Sequence, residues 1–292
     1  MIKERARELG ATLCRIGRVY DEDDPQRDPR MILPHARAII GFGFLVPKAL
    51  YKAMDRKSQF YTYTSIGVKY EDEEMAEIFL LKMGGMIENE GYDACLQKAI
   101  PNLRIKGDKS TNPEVTDTYE LIHATAVEPG KTVPDVILDF GKAAKACGLG
   151  ETGLSGKIIN KTYGPFMRYC FLITDAPLEC DEPLTEPVCD RCGACIAACP
   201  GHAISENGLD TWQCAVYYKG AHKSNPFMTD TFLKDHPERE KILNGEKRFD
   251  ASSAREILPQ IDFLPRTQWG YMPCLCGRKC DIACYKHLKG EF

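Results

Sequence analysis

The chain has 292 residues, with 43% hydrophobic and 27% charged side chains and a formal net charge of −4. This length is enough for two ordinary domains, and the balance is that of a globular protein. The small negative charge argues against a general nucleic-acid or membrane-surface binder, and no run approaches the roughly 18–20 apolar residues that span a bilayer.

In chain order, the first ten or so residues read as a short helix with Ile2, Ala6 and Leu9 on one face, followed by a strand near Thr12–Ile16. Ala38–Phe44 is an apolar run closed by Pro47 and suits a buried strand. Residues 71–90 have helical periodicity, with Met75, Ile78, Phe79, Met83, Met86 and Ile87 inward and Gly91 as the stop. Gly84-Gly85 inside this helix marks either a weak point or close packing. His123–Val127 suits a strand, Pro129-Gly130 a turn, and residues 135–147 a helix ending at Gly148.

A glycine-punctuated stretch, Gly148–Gly156, leads to an apolar strand at Tyr169–Thr174. Pro177, Pro183 and Pro187 mark a linker, which divides the chain into domains of residues 1–182 and 183–292. Residues 220–270 are charged and loop-rich, with a helix at Ser252–Leu258. The expected class is α+β: an α/β first domain, then a small cluster domain.

The N-terminus carries charge and no apolar signal core. The chain is therefore expected in the cytoplasm, with no membrane partner and with nucleic acid not expected. In a reducing compartment its fourteen cysteines do not serve as disulfides. Ten of them fall between Cys180 and Cys284, most in tight spacings that metal sites need.

Cys189-x2-Cys192-x2-Cys195-x3-Cys199-Pro200 is the bacterial ferredoxin run for [4Fe–4S] clusters. Three closely spaced thiolates wrap one face of a cube, and the fourth points to a second cluster. Soft thiolates in this pattern select iron–sulfur over hard metals, and a zinc site would instead pair two C-x2-C knuckles. Cys214, Cys274, Cys276, Cys280 and Cys284 supply the second group. The expected exchange gives one cluster Cys189, Cys192, Cys195 and Cys284. The other takes Cys199, Cys214, Cys280 and either Cys276 or Cys274.

Several stretches resemble the cobalamin-dependent iron–sulfur family of epoxyqueuosine reductases and reductive dehalogenases. They are Leu33-Pro34-His35-Ala36-Arg37-Ala38-Ile39-Ile40, Glu88-x-Glu90-Gly91-Tyr92, and Ala146-Cys147-Gly148-Leu149-Gly150-x2-Gly153-Leu154, running on to Tyr163-Gly164-Pro165 and Thr174-Asp175-Ala176-Pro177-Leu178. The Gly148–Leu178 block resembles the dehalogenase side more. The resemblance implies a nitroreductase-like first domain that binds a corrinoid, covered by a ferredoxin-like domain with two clusters. It implies electrons passing from a donor, reduced ferredoxin or flavodoxin, through the clusters to cobalt, for reductive cleavage of a small-molecule substrate.

By that resemblance Gly150, Gly153, Leu154 and Gly156 lie against the corrinoid, with Tyr163, Gly164 and Arg168 in the pocket wall. Glycines also let backbone approach a planar ligand closely; the alternative is a turn needed for packing. Such cleavage needs a proton donor. Asp135 and Asp139, four apart on one helix face, are candidates, as is a tyrosine, with Tyr63 beside Tyr61 and Tyr70. The alternative for the aspartates is a helix N-terminal carboxylate, and for the tyrosines core packing.

Two other readings stand beside this one. The chain could be a ferredoxin-type electron-transfer protein that reduces a partner's corrinoid or flavin, or the first domain could hold flavin in place of corrinoid. Against epoxyqueuosine reduction stands the lack of the tRNA-binding repeat region of longer members, and against dehalogenation the lack of an export signal.

Overall fold

The computed structural model describes residues 1–99, 136–261 and 273–290. Helix α1 (Ile2–Glu8) leads into β1 (Leu13–Arg18), α2 (Pro29–Ile32), β2 (Ala38–Leu45), α3 (Lys48–Asp55) and α4 (Tyr61–Thr64). A π-helix (Ser65–Met75) runs directly into α5 (Ala76–Asn89), and β3 (Ala94–Gln97) follows. Next come α6 (Phe140–Ala146), a two-residue hairpin pair β4 (Glu151–Thr152) and β5 (Ile158–Ile159), and β6 (Met167–Thr174). The cysteine-rich part holds α7 (Ala194–Ala198), β7 (Ile204–Ser205), β8 (Gly208–Leu209), α8 (Thr211–Tyr218), α9 (Arg239–Leu243), α10 (Ala251–Ile261) and α11 (Lys279–Lys289).

The main sheet has the order β1-β2-β6-β3, and every pairing in it is antiparallel. The apolar run at Ala38 is its central strand, because a strand covered on both faces has no polar side to alternate with. One face packs Ile40, Phe42, Cys170 and Leu172 against Ala6 of α1 and Phe79, Leu80, Met83 and Ile87 of α5. The other packs Ile39, Phe171 and Ile173 against Ala143, Ala144, Cys147 and Leu149, in and after α6. Each such fully buried aliphatic or aromatic side chain contributes roughly 1.5–3 kcal/mol.

Two expectations for this half change. The helix expected over 71–90 is α-helical only from Ala76, because the preceding turns are wound as π-helix. Ile78 points outward, at 58% exposure, rather than into the core. The helix expected from 135 begins at Phe140, and Asp139 is its N-cap rather than a residue on its face. Gly84 marks close packing, since a Cβ there would lie 2.6 Å from Leu96 Cδ2. The strand expected at His123–Val127 lies outside the described residues.

A second core, with Val216, Tyr217, Phe232, Ile242, Phe249 and Ile257, is built from α8, α9, α10 and the loop before α9. Trp212 packs against it. A third core joins residues from both sides of position 182: Tyr51, Met54, Tyr63 and Phe166 pack with Cys274, Leu275 and Ile282. Within it Tyr51 stacks on Phe166 at 3.8 Å, and Phe166 on Tyr285 at 4.5 Å between ring centroids. That seam carries the C-terminal helix, and with it two cysteines, onto the sheet half. Among the described residues, no helix is long and apolar enough to cross a membrane.

Candidate functional site

The cysteines sort into two fours, each around its own cavity. Cys189, Cys192, Cys195 and Cys284 line the first, together with Leu154 and Ile159. The left-handed turn at Arg191 and Gly193 (φ 58° and 78°) folds the loop before α7 back on itself, so three thiols converge from seven residues. Glu151 fixes the approach of this loop by accepting the Val188 and Cys189 N–H groups at 2.5 and 2.8 Å. Helix α11 brings Cys284, and its His287 meets Asp190 at 2.7 Å. Cys192 is solvent-exposed, so this is the outer site.

Cys199, Cys214, Cys276 and Cys280 line the second cavity, of about 290 Å³. Cys199 ends α7 in an extended conformation, which turns its side chain away from the other three cysteines of its run. Cys214 comes from α8, started by an Asp210 cap whose side chain accepts the Gln213 N–H at 3.0 Å. Cys276 and Cys280 flank the entry to α11. None of these four is exposed, so this is the inner site. Cys274 is fully buried behind it, with its Sγ 3.7 Å from that of Cys276, and does not line the cavity. Burial pushes the Cys214 thiol up to about 12, and it also raises Cys280. A bound cation reverses this by deprotonating the thiols it ligates.

The glycine block forms the β4–β5 hairpin, and its tip is wedged between the two sites: Ser155 lines both cavities, while Gly156 and Lys157 line the inner one. The hairpin itself needs these glycines. A Cβ on Gly150 or Gly153 would strike Ile159, and one on Gly156 (φ 72°) would press on Leu209. Leu154 is buried against Cys195 and Ile204. Gly164 (φ 61°) closes against Tyr285, and Tyr163 packs half-buried on the sheet core.

A polar cluster adjoins the inner site. Arg168 donates to the Tyr63 hydroxyl at 2.9 Å and to the Gly67 carbonyl at 2.8 Å, and it pairs with Asp72 at 3.6 Å. Burial pushes the Tyr63 phenol up to about 12 despite the Arg168 charge. Burial, with the Arg168 and Arg278 charges close by, holds Lys157 down to about 7. Arg278 and Asp281 form two parallel hydrogen bonds of 2.8 Å, with the Asp281 carboxylate fully buried. Burial pushes Glu71 up to about 7, and its Oε2 has no hydrogen-bond partner among the described residues.

Of the expected proton donors, Tyr63 thus stands beside Arg168 in the polar cluster. Asp139 instead accepts the Lys142 N–H at 3.0 Å and pairs with Arg27 at 3.3 Å; it lines neither cavity. Asp135 lies outside the described residues. Sequence reasoning missed Lys157, Arg278, Asp281 and Glu71. Lys157 follows the glycine block directly and Arg278 sits between two cysteines, but nothing local marks either as a cavity wall.

The chemistry of the donor sets fits iron–sulfur clusters at both sites: four thiols each and no hard oxygen ligand. Of the residues expected to hold a corrinoid, Gly150 and Gly153 pack tightly on Ile159, where a Cβ would strike, and Arg168 is tied to Tyr63 and Asp72.

No family model matches the chain. A curated epoxyqueuosine reductase of Aliivibrio fischeri is 40% identical over 144 residues, which is 46% of this chain and 36% of that protein. The matches to this and the other first curated relatives span between 24% and 36% of those proteins' lengths. A solved catabolic reductive dehalogenase superposes over 90% of this chain and 34% of its own, with a TM-score of 0.50 and 16% identity. An epoxyqueuosine reductase solved with an epoxyqueuosine-modified tRNA-Tyr stem loop covers 99% of this chain and 74% of its own, with a TM-score of 0.47 and 15% identity. The flavin alternative finds no support among these proteins. The chain is a sequence relative of enzymes named epoxyqueuosine reductase, and it shares the mixed α+β fold of a reductive dehalogenase.

Proposed function

We propose that this protein is an iron–sulfur oxidoreductase of the epoxyqueuosine reductase and reductive dehalogenase kind, with residues 1–182 as the substrate-side domain and residues 183–292 as the cluster domain. The observation that carries the reading is the sorting of eight cysteines into two separate fours around two cavities. Two [4Fe–4S] clusters there would supply one-electron transfer. Cys189, Cys192, Cys195 and Cys284 hold the outer one, and Cys199, Cys214, Cys276 and Cys280 the inner one.

The rest of the chain's work is positioning. The exposed Cys192 leaves the outer site open to a small electron carrier such as ferredoxin or flavodoxin. The buried Ser155 at the hairpin tip stands between the sites. Tyr63 holds a proton on its phenol oxygen, and Arg168 orients that hydroxyl. In reductive cleavage of a carbon–oxygen or carbon–halogen bond, which consumes two electrons supplied one at a time through the clusters and releases the oxygen or halide as an anion, Tyr63 would give its proton to the new carbon–hydrogen bond. The substrate class is that of the relatives: a modified nucleoside or a small halogenated compound.

The tight packing of Gly150 and Gly153 on Ile159 favours a second reading. In that reading the chain passes electrons to a corrinoid held by a partner. The test is anaerobic reconstitution with iron, sulfide and hydroxocobalamin, followed by desalting and a visible spectrum. A corrinoid band retained at about one per chain, over the broad iron–sulfur absorption, supports the enzyme reading. Iron–sulfur absorption alone supports the electron-transfer reading.

A further inference from the structure

The two cysteine sites differ in the charges that face them. At the outer cavity each charged wall residue has a partner: His287 meets Asp190 at 2.7 Å, and Arg191 meets Glu206 at 3.4 Å. At the inner cavity three cations line the wall, Lys157, Arg278 and Lys279. Arg278 is neutralised by Asp281, and the Lys279 ammonium donates to Ser224 Oγ at 2.9 Å. Lys157 pairs with no carboxylate among the described residues; the nearby Arg168 and Arg278 charges disfavour its charged form more than Asp281 and Asp72 favour it. A half-buried lysine held down to about 7 stays fully charged only when an anion faces it. The anion this arrangement fits is a cluster held by four thiolates.

Adding an electron makes such a cluster more negative by one charge, with no bond made or broken. A nearby uncompensated cation favours the reduced form, and net charge is one of the levers on cluster potential. The greater burial of the inner site acts the other way, disfavouring the more highly charged state. The hairpin therefore places one unpaired positive charge where it offsets that penalty. We propose that Lys157 is the counter-charge of the inner cluster and raises its reduction potential above that of the outer one, so that the inner site is the acceptor of the pair. This rests on the two-cluster reading above.

The test is a potentiometric titration, followed by electron paramagnetic resonance, of the reconstituted full chain and of Lys157→Met and Lys157→Arg. Cys214→Ser identifies which signal belongs to the inner cluster. Iron and sulfide content is measured first: a wild-type chain that does not bind about eight irons refutes the two-cluster reading itself, separately from this one. The expected result is that Lys157→Met makes the inner cluster about tenfold or more harder to reduce, about 59 mV for one electron. The outer potential stays in place, and Lys157→Arg keeps the wild-type value. If Lys157→Met loses the inner iron, Lys157→Gln is titrated instead with the same expectation. An unchanged inner potential, equal shifts of both clusters, or an inner cluster that is the lower of the two in the wild type overturns the proposal.

Discussion

The Arg168 guanidinium donates to the Tyr63 hydroxyl at 2.9 Å, joining the central part of the sheet to the helices that carry the aromatic core. The bond uses the phenol oxygen as an acceptor and leaves its own proton out of that contact, on a side chain that is itself fully buried. The same arginine meets Asp72 at 3.6 Å, which makes Tyr63, Arg168 and Asp72 one unit beside the inner site.

Tyr63→Phe removes the proton while keeping the ring in its packing. Loss of the buried hydrogen bond costs about 0.5–1.5 kcal/mol of stability. Turnover of the reduced enzyme falls by about 10²-fold or more if Tyr63 is the acid. Single-turnover assays and urea titration of the same preparation separate the two effects.

Asp139→Ala acts on the helix start rather than on chemistry. Removing the side chain that accepts the Lys142 N–H lowers stability by about 0.5–2 kcal/mol, with activity per folded molecule unchanged. A loss of turnover in a fully folded Asp139→Ala protein would restore the aspartate as a proton donor.

The contrast between these residues shows what the sequence disclosed. The buried strand β2 was legible because seven apolar or glycine positions in a row have one stable use, the middle of a sheet. Cys189, Cys192 and Cys195 were legible because their spacing is local and chemically restrictive; the exchange with Cys284 and the grouping of Cys199 with Cys214 and Cys280 followed the two-cluster pattern, and the choice between Cys276 and Cys274 was open. The start of α5 was not legible, since the π-helix before it leaves no composition signature and only shifts the phase of the periodicity. Asp139 has the same local signature as a catalytic helix carboxylate and as a cap; in the fold it caps α6, pairs with Arg27 and lines neither cavity. Lys157 and Arg278 were silent for another reason. Their environment is made by segments more than a hundred residues apart in the chain.

Glu71 gives the protein a pH dependence of known sign. Its folded-state value is pushed up to about 7 from an ordinary carboxylate value near 4.5, so the folded state favours the protonated form. The associated stability is fully present below about pH 4.5 and is lost as pH rises through 7, by roughly 3 kcal/mol at most. Glu71→Gln therefore leaves stability nearly unchanged at pH 4, where the carboxyl is mostly protonated in both folded and unfolded chains, and raises it at pH 8.5, as read from urea midpoints at the two pH values.

Arg278→Ala leaves the Asp281 carboxylate buried without its partner. The expected loss is about 3–5 kcal/mol, whereas Arg278→Met combined with Asp281→Leu loses much less. Guanidinium unfolding of the two variants checks the difference.

The central claim is that eight named cysteines form two independent four-thiolate sites, and iron counting after anaerobic reconstitution tests it most directly. The account predicts about eight irons and eight sulfides per chain, falling to about four in Cys284→Ala and in Cys276→Ala and remaining at about eight in Cys274→Ala. Four irons in the wild-type chain, or loss of a whole cluster in Cys274→Ala with none lost in Cys276→Ala, would contradict it.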